Sequence, residues 1–314
     1  MILVCGEALV DLFLGEAEGA RLPAVAVAGG SPFNVAVALA RLGVATGFLG
    51  GVSTDAFGTM LAGVLAREGV DGRHLLRSAR PTTISVVATG PGGEPVYDFR
   101  GMGAADRAIT RADLPATLPA EVRALAFGSY SLVAEPVGTA LAGLAEREAG
   151  ERLVSVDINL RPTVEPEIGR WRDALARIGR VASIVKASEE DVAGLFGPGM
   201  ALAEAARAWL DRGAGLVVIT RGAAGASAWT RGGEVSVAAK PASVVDTVGA
   251  GDSFHAALLA GLLREGLLTR AGVAGLAPEM LARLLAEAAA AAAITVSRRG
   301  ADTPRALELA QALA

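Results

Sequence analysis

The segment at residues 246–254, Asp-Thr-Val-Gly-Ala-Gly-Asp-Ser-Phe, constrains the fold of this chain more than any other stretch. Two glycines flank an alanine, and Asp252 follows at once. Residues 254–263 then form an apolar run, broken mainly by His255 and Gly261. A turn of small residues before an apolar run of this length predicts a tight turn that leads into a buried helix.

The turn at Gly249, Ala250 and Gly251 has the chemistry of an anion site. Backbone amides at a helix start have no intrahelical partners, and the helix macrodipole favours negative charge there. Small residues also let a phosphate approach the backbone closely. Asp252 adds a carboxylate that could accept a proton from an attacking hydroxyl, so the segment suggests phosphoryl transfer to an alcohol. Gly-x-Gly-Asp by itself is equally typical of a helix start with an aspartate cap.

Composition narrows the class of protein. The 314 residues fit one large α/β domain or two small ones, and 52% apolar residues can form a sizeable core. The net charge of −4 and the scattered arginines argue against a nucleic-acid surface. Cys5 is the only cysteine, which excludes an intrachain disulfide and fits a reducing cytoplasm. The start of the chain lacks the basic residues of a signal peptide, and the alanine run at 288–293 is too short for a membrane span.

Strand and helix patterns alternate along most of the chain. This alternation predicts a single α/β domain over residues 1–314, with a mainly parallel central sheet between two layers of helices. Residues 83–89 and 95–100 instead read as a hairpin around a turn at 91–94. Together with the stretch at about 12–28, whose residues 22–28 alternate weakly, the hairpin predicts a small sheet outside the main fold.

Polar residues follow several of the predicted strands, where α/β proteins bind ligands. Asp11 comes shortly after the first strand, Asn34 follows a glycine turn at 29–30, and Arg161 belongs to an Asp-Ile-Asn-Leu-Arg-Pro element at 157–162. Each has a structural alternative. Asp11 could be a solvated turn acid, Asn34 a helix cap, and the 157–162 element a network between strand and loop.

The full segment 246–254 resembles the second signature of the PfkB, or ribokinase-like, carbohydrate kinases, and residues 28–34 resemble the first. Matching elements follow the order of that family from Gly6 to Gly300. The resemblance implies a three-layer ribokinase-like fold and a β lid over the sugar, formed by about residues 12–28 and 82–103. It also implies that Asp252 is the catalytic base and that the backbone of Gly249, Ala250 and Gly251 forms the anion hole. The sugar-binding residues implied are Asp11, Gly29, Gly30 and Asn34.

The same resemblance implies an ATP site. A loop like that at 220–225 places Thr220, Gly222 and Gly225 near ATP. Many relatives also have an Asn-x-x-Glu element that organises Mg²⁺ and phosphate. Ser188 and Asp191 stand at those positions here, a departure that weakens Asp191 as a metal ligand. In relatives, backbone groups near residues 294–300 and an aspartate at the position of Asp246 often hold a monovalent cation, which makes K⁺ a candidate.

The function expected is an ATP-dependent sugar kinase that phosphorylates a primary hydroxyl. Four segments resemble bacterial fructokinases and favour fructose: residues 6–11, 104–107, 157–162 and 186–191. The alternative is a 2-keto-3-deoxygluconate kinase, which would need positive charge near the substrate carboxylate. Arg100 and Arg161 are the residues that could supply this charge. Ribokinase or nucleoside kinase activity is less favoured.

Other classes fit the sequence less well. A catalytically inactive sugar- or nucleotide-binding relative is disfavoured by the intact Asp252 and its glycine turn. A dinucleotide-dependent dehydrogenase is disfavoured because no Gly-x-Gly-x-x-Gly follows a strand. Neither lysine, Lys186 or Lys240, follows a glycine, which argues against a Walker-type NTPase. We expect small-molecule partners, no nucleic acid and no membrane. Lid strands with exposed edges suggest a homodimer.

Overall fold

The computed structural model of the chain describes residues 1–90 and 95–314. The turn predicted at 91–94 lies outside the described residues. The strands, in chain order, are β1 (Ile2–Cys5), β2 (Leu9–Leu14), β3 (Ala24–Gly29), β4 (Thr46–Ser53), β5 (Leu75–Ser78), β6 (Ile84–Thr89), β7 (Pro95–Arg100), β8 (Ala124–Gly128), β9 (Leu153–Asp157), β10 (Ile184–Ser188), β11 (Leu216–Thr220), β12 (Ala226–Thr230) and β13 (Gly233–Val237). The helices are α1 (Ser31–Arg41), α2 (Ala56–Arg67), α3 (Val137–Glu148), α4 (Ile168–Ile178), α5 (Glu189–Phe196), α6 (Leu202–Asp211), α7 (Ala250–Arg264), α8 (Arg270–Ala274), α9 (Pro278–Val296) and α10 (Ala306–Leu313).

The larger sheet has the strand order β13-β12-β11-β10-β9-β8-β1-β4-β5. All its neighbouring strands from β11 to β5 run parallel, and β12 and β13 add an antiparallel edge. The central parallel strands, such as β1, β9, β10 and β11, are buried and mostly apolar, as expected when helices cover both faces of a parallel sheet. The mainly parallel sheet predicted from the sequence is therefore confirmed.

The side chains of each central strand point alternately into two separate cores. In β1, Ile2 and Val4 belong to a core shared with α1, α7 and α9, whereas Leu3 and Cys5 belong to a core shared with α3, α4 and α6. This period of two places helices on both faces of the sheet and confirms the three-layer fold.

Three helices were not predicted from the sequence: α4, α8 and α10. The signal for α4 was present, because Trp171, Leu175 and Ile178 are buried at helical spacing. The alanine run lies inside α9, packed against α7. Within residues 1–90 and 95–314, no helix is long and apolar enough to cross a membrane.

A second, four-stranded sheet has the order β3-β2-β6-β7. Its strands β2 and β6 are parallel, and the outer pairs are antiparallel. Because side chains alternate along a strand, Leu9, Asp11 and Phe13 of β2 share one face, which is turned toward a cleft above the larger sheet.

Candidate active site

A cleft of about 1030 Å³ lies between the carboxyl ends of the parallel strands and the face of the second sheet. The ends of β8, β9, β10 and β11 all contribute to it, as expected for the ligand-binding edge of an open α/β sheet. Thirteen residues singled out from the sequence line this cleft: Asp11, Gly30, Asn34, Arg161, Ser188, Asp191, Thr220, Gly222, Gly225, Gly249, Ala250, Gly251 and Asp252.

Asp252 lies in the first turn of α7 and is almost fully buried at the floor of the cleft. Its Oδ1 accepts a hydrogen bond from Ser31 Oγ at 2.7 Å, and its Oδ2 accepts one from Asn34 Nδ2 at 2.9 Å. Burial raises the pKa of Asp252, and the two hydrogen bonds oppose that rise. The carboxyl group is thus held in one orientation while its basicity is increased, two properties that a general base needs.

The turn before α7 has the backbone geometry that its glycines require. Gly249 has φ 78°, in the left-handed region, and a Cβ there would lie 2.5 Å from Ala301 Cβ. The amide of Ala250 donates to the Thr247 carbonyl at 3.3 Å, so this amide is partly engaged, contrary to the expectation of a turn with no partners. Gly251 is exposed to the cleft at the start of α7, where a helix attracts anions.

A buried ion pair lies directly behind this turn. Lys186 Nζ lies 2.6 Å from Asp157 Oδ2, and both side chains are at most 4% exposed. A Cβ on Gly251 would lie 3.4 Å from Lys186 Nζ, so the ammonium group is adjacent to the anion-binding turn. His255 Nδ1 is 3.9 Å from the same Asp157 oxygen. Burial lowers the pKa of His255 to about 3, so this ring is neutral and Lys186 carries the positive charge.

The sugar-binding candidates of the first part of the chain lie on the second sheet and at the start of α1. Asp11 is half-buried in β2, and burial raises its pKa while the charge of Arg161 opposes the rise. Gly29 lies behind Asp11, and a Cβ at Gly29 would lie 2.4 Å from Asp11 Oδ2. Gly29 therefore does not line the cleft itself but allows β3 to approach Asp11. Asn34, predicted to contact sugar or to cap a helix, holds the carboxylate of Asp252.

Asp191 anchors two loops at the opposite side of the cleft. Its Oδ1 accepts the amide of Leu160 and its Oδ2 the amide of Ser188, both at 2.7 Å. Ser188 caps α5 and accepts the Asp191 amide in return. These bonds order the 157–162 element against β10. Each carboxyl oxygen retains a lone pair, so the metal contact of Asp191 stays a prediction.

Two further candidates lie outside the cleft. The side chain of Arg100 is 70% exposed and forms an ion pair with Asp98. Asp246 accepts the amide of Val248 at 3.0 Å and that of Gly300 at 2.8 Å, which joins the anion-binding turn to the segment after α9. In the part of the chain that the structure describes, no group of three or more His, Cys, Asp or Glu side chains is arranged to hold a metal ion.

The cleft residues that were not singled out from the sequence include Glu7, Ser31 and Lys186. Lys186 had a signal, because a lysine inside an otherwise apolar strand must be paired or functional. Ser31 and Glu7 stand beside recognised glycine motifs, but the contact of Ser31 with Asp252 joins residues 221 positions apart.

The chain matches a family model and many known proteins. Residues 1–307 match the model of the pfkB family carbohydrate kinases. A fructokinase of Rhizobium leguminosarum bv. trifolii is 41% identical over 283 residues, which cover 90% of this chain and 85% of the relative. A fructokinase of Klebsiella pneumoniae is 36% identical over 304 residues, which cover 96% of this chain and 95% of the relative.

Solved structures give the same result. A fructokinase of Xylella fastidiosa with bound ATP superposes with a TM-score of 0.90 at 28% identity, covering 99% of this chain and 97% of that one. An aminoimidazole riboside kinase of Salmonella enterica, complexed with aminoimidazole riboside and an ATP analogue, superposes with a TM-score of 0.81 at 28% identity, covering 100% of this chain and 99% of that one. With a family match over almost its full length, this chain belongs to the pfkB family of ATP-dependent carbohydrate kinases.

Proposed function

We propose that this kinase transfers the γ-phosphoryl group of ATP to a primary hydroxyl of fructose. The observation that carries the proposal is the position of Asp252, a buried carboxylate held by two hydrogen bonds at the start of α7, directly beside the anion-binding turn. The choice of fructose rests on the relatives named fructokinase.

In the proposed reaction, Asp252 accepts the proton of the sugar hydroxyl as its oxygen attacks the γ-phosphorus. The new O–P bond forms as the bond to the β,γ-bridging oxygen breaks, and ADP leaves with that electron pair. Negative charge on the transferring group faces the amide end of α7 and the backbone of Gly249 and Gly251. Positioning and charge stabilisation supply most of the rate, because phosphoryl transfer needs little covalent chemistry from the protein.

Lys186 is the one buried cation adjacent to this turn in the described part of the chain. We propose that its ammonium group offsets charge on the phosphoryl group, while Asp157 fixes its position. An ammonium group that is already fixed in position avoids reorganisation when the nucleotide binds.

The nucleotide is proposed to lie against the loop that contains Thr220, Gly222 and Gly225, with Ser188 nearby. Mg²⁺ fits this site as a companion of the ATP phosphates, since it keeps several waters and needs only one or two carboxylates. K⁺ fits beside Asp246, whose oxygens already bind two amides and retain further lone pairs. We expect ADP release to require MgCl₂ and to increase when KCl replaces a tetramethylammonium salt.

The second sheet is proposed to be the lid of a single kinase domain. Asp11, Phe13 and Tyr97 from this sheet all line the cleft opposite Asp252. A lid that excludes water would suppress hydrolysis of the activated phosphoryl group. The exposed Val25 and Val27 of β3 support a homodimer formed through this sheet, which sedimentation velocity would detect. A cytoplasmic location agrees with the single free cysteine.

The experiment that tests the proposed function is a coupled ADP-release assay with MgATP and a panel of fructose, ribose, 2-keto-3-deoxygluconate and adenosine. We expect fructose to give the highest kcat/KM. A preference for the keto acid would instead favour Arg161 as a carboxylate ligand, since it lines the cleft near Asp11. A folded protein that turns over none of the four compounds would contradict the proposed substrate.

The variant Arg100→Ala is expected to leave KM for fructose within about twofold of the wild-type value. Arg100 points to solvent and pairs with Asp98, and an exposed ion pair contributes only about 0–1 kcal/mol. Arg161→Ala, which removes the cleft arginine, is the matched comparison. Steady-state kinetics with varied fructose measure both variants, and a large KM increase in Arg100→Ala would show that Arg100 reaches the sugar.

A further inference from the structure

Glu7 is a buried carboxyl group that no step of the proposed reaction uses. It follows β1, is 1% exposed and lines the cleft. Its Oε2 has no hydrogen-bond partner among the described residues. Within residues 1–90 and 95–314, no Lys, Arg or His lies within ion-pair distance of it. Leaving a buried polar atom unpaired costs free energy, so such a group in a binding cleft calls for an explanation.

A second buried carboxyl group, that of Asp106, provides a comparison for the hydrogen bonding of Glu7. Asp106 is also almost fully buried, but its Oδ1 accepts the hydroxyl of Thr83 at 2.6 Å and its Oδ2 accepts the hydroxyl of Tyr130 at 2.7 Å. Asp106 does not line the cleft, whereas Glu7 does. The carboxyl group of Asp106, which is buried in the core, thus has hydrogen-bond partners for both oxygens. The carboxyl group of Glu7, which lines the cleft, has an oxygen without a partner among the described residues.

The surroundings of Glu7 place it at the sugar end of the cleft. A Cβ on Gly30 would lie 3.4 Å from Glu7 Cγ, so the side chain packs directly against a glycine of the proposed sugar site. Ser129, another cleft residue, has φ 57° although it is not a glycine. Strained backbone of this kind clusters at ligand-binding positions.

We propose that Glu7 is a specificity-determining residue of this kinase, whose carboxyl group accepts a hydrogen bond from a hydroxyl of the bound sugar. The inference rests on the proposed function, because it takes the ligand of this end of the cleft to be the sugar. A hydroxylated sugar supplies the donor that Glu7 Oε2 lacks among the described residues of the protein. A substrate analogue without that hydroxyl would leave the carboxyl group unpaired and would be rejected.

The titratable groups that face Glu7 sharpen the inference. They are Asp106 and Tyr130, neither of which can carry a positive charge that would stabilise the ionised carboxylate. Burial raises the pKa of Glu7 from 4.5 to about 7, and nearby serine hydroxyls only partly oppose this. The ionised form is the better acceptor, so sugar affinity should rise as the pH increases through about 7.

The test compares the wild-type enzyme with Glu7→Gln. The dissociation constant of the sugar that the wild-type enzyme turns over, fructose by the present proposal, is measured by titration calorimetry between pH 5.5 and 8.5. We expect Glu7→Gln to weaken binding about 10-fold at pH 8.5, where a charge-assisted bond is lost, and hardly at all at pH 5.5. The KM for the sugar should rise in parallel with its dissociation constant at pH 8.5.

Thermal unfolding without sugar separates this role from a structural one. A carboxyl group whose pKa is raised on folding costs no stability below its ordinary pKa of 4.5 and costs progressively more until the pH passes about 7. Glu7→Gln should therefore have a higher Tm than the wild type at pH 8 and a weaker dependence of Tm on pH. Glu148→Gln is the control, since Glu148 is a buried glutamate outside the cleft that binds Arg147 and Arg152. It should lower Tm and leave sugar binding unchanged.

The outcomes are distinguishable. Intact wild-type turnover with equal sugar affinity in wild type and Glu7→Gln at every pH would overturn the role of Glu7 alone. A lower Tm for Glu7→Gln at pH 8 would do the same, because it would mean that a partner inside the protein satisfies the carboxylate. Failure of the wild-type enzyme to phosphorylate any sugar would contradict the proposed function and this inference together.

Discussion

Asp252→Asn is expected to lower kcat about a thousand-fold with fructose and MgATP while the protein stays folded. The asparagine keeps the size of the side chain and can still bond with Ser31 and Asn34, but it cannot accept the proton of the sugar hydroxyl. General-base groups typically contribute about 10²- to 10⁴-fold to the rate. The measurement is single-turnover kinetics, so that slow product release cannot hide the loss.

The pH profile gives an independent check of the same residue. Only the ionised Asp252 can act as a base, so kcat/KM should fall as the pH decreases through its pKa. Because burial raises that pKa above the ordinary 3.8, the fall should begin at a higher pH than for an exposed aspartate. Near-normal turnover in Asp252→Asn, or an unchanged acid limb in that variant, would show that another group takes the proton.

Lys186→Met is expected to lower both turnover and stability. Breaking a buried ion pair leaves Asp157 charged without a partner, at a cost of about 3–5 kcal/mol in the free energy of unfolding. Loss of the ammonium group beside the anion-binding turn should lower kcat by about 10²- to 10³-fold, the range observed when one donor to a developing charge is removed. Denaturant unfolding and steady-state kinetics measure the two effects separately.

The double variant Lys186→Met/Asp157→Asn separates stability from catalysis. Removing both charges should restore most of the lost stability, because no uncompensated charge remains in the core. Turnover should stay low, since the positive charge is still absent. If the double variant regained both properties, the pair would be structural only and Lys186 would have no contact with the phosphoryl group.

Local features of the sequence predicted the elements that carry the chemistry. The small residues at 249–251 predicted the turn, and the apolar run after Asp252 predicted the buried helix α7. The strand patterns gave most of the parallel sheet within a few residues, as the agreement at β1 (Ile2–Cys5) and β11 (Leu216–Thr220) shows. Helix α4 was not predicted, although Trp171, Leu175 and Ile178 stand at helical spacing with charged residues between them, the pattern of an amphipathic helix.

The roles of individual polar residues were harder to predict. Arg100 and Arg161 were equal candidates by charge, but β7 turns Arg100 toward solvent and Asp98, whereas the loop after β9 brings Arg161 to the cleft. Asp191 is a metal candidate by its position in the sequence, and the structure adds a second role, because its oxygens accept two backbone amides that join the 157–162 element to β10. Such differences depend on the direction in which a side chain leaves its element.

The sequence by itself determined the alternation of strands and helices, the glycine turn and the acid that follows it, because backbone preference and hydrophobic period are encoded within a few neighbouring residues. Only the tertiary structure decided which polar groups meet. Asn34 and Ser31 reach Asp252 across 218 and 221 residues, and Lys186 reaches Asp157 across 29. Those contacts arise from the strand order and from helices packed on both faces of the sheet. The incomplete hydrogen bonding of Glu7 arises in the same way, because burial and partners are properties of the packed chain.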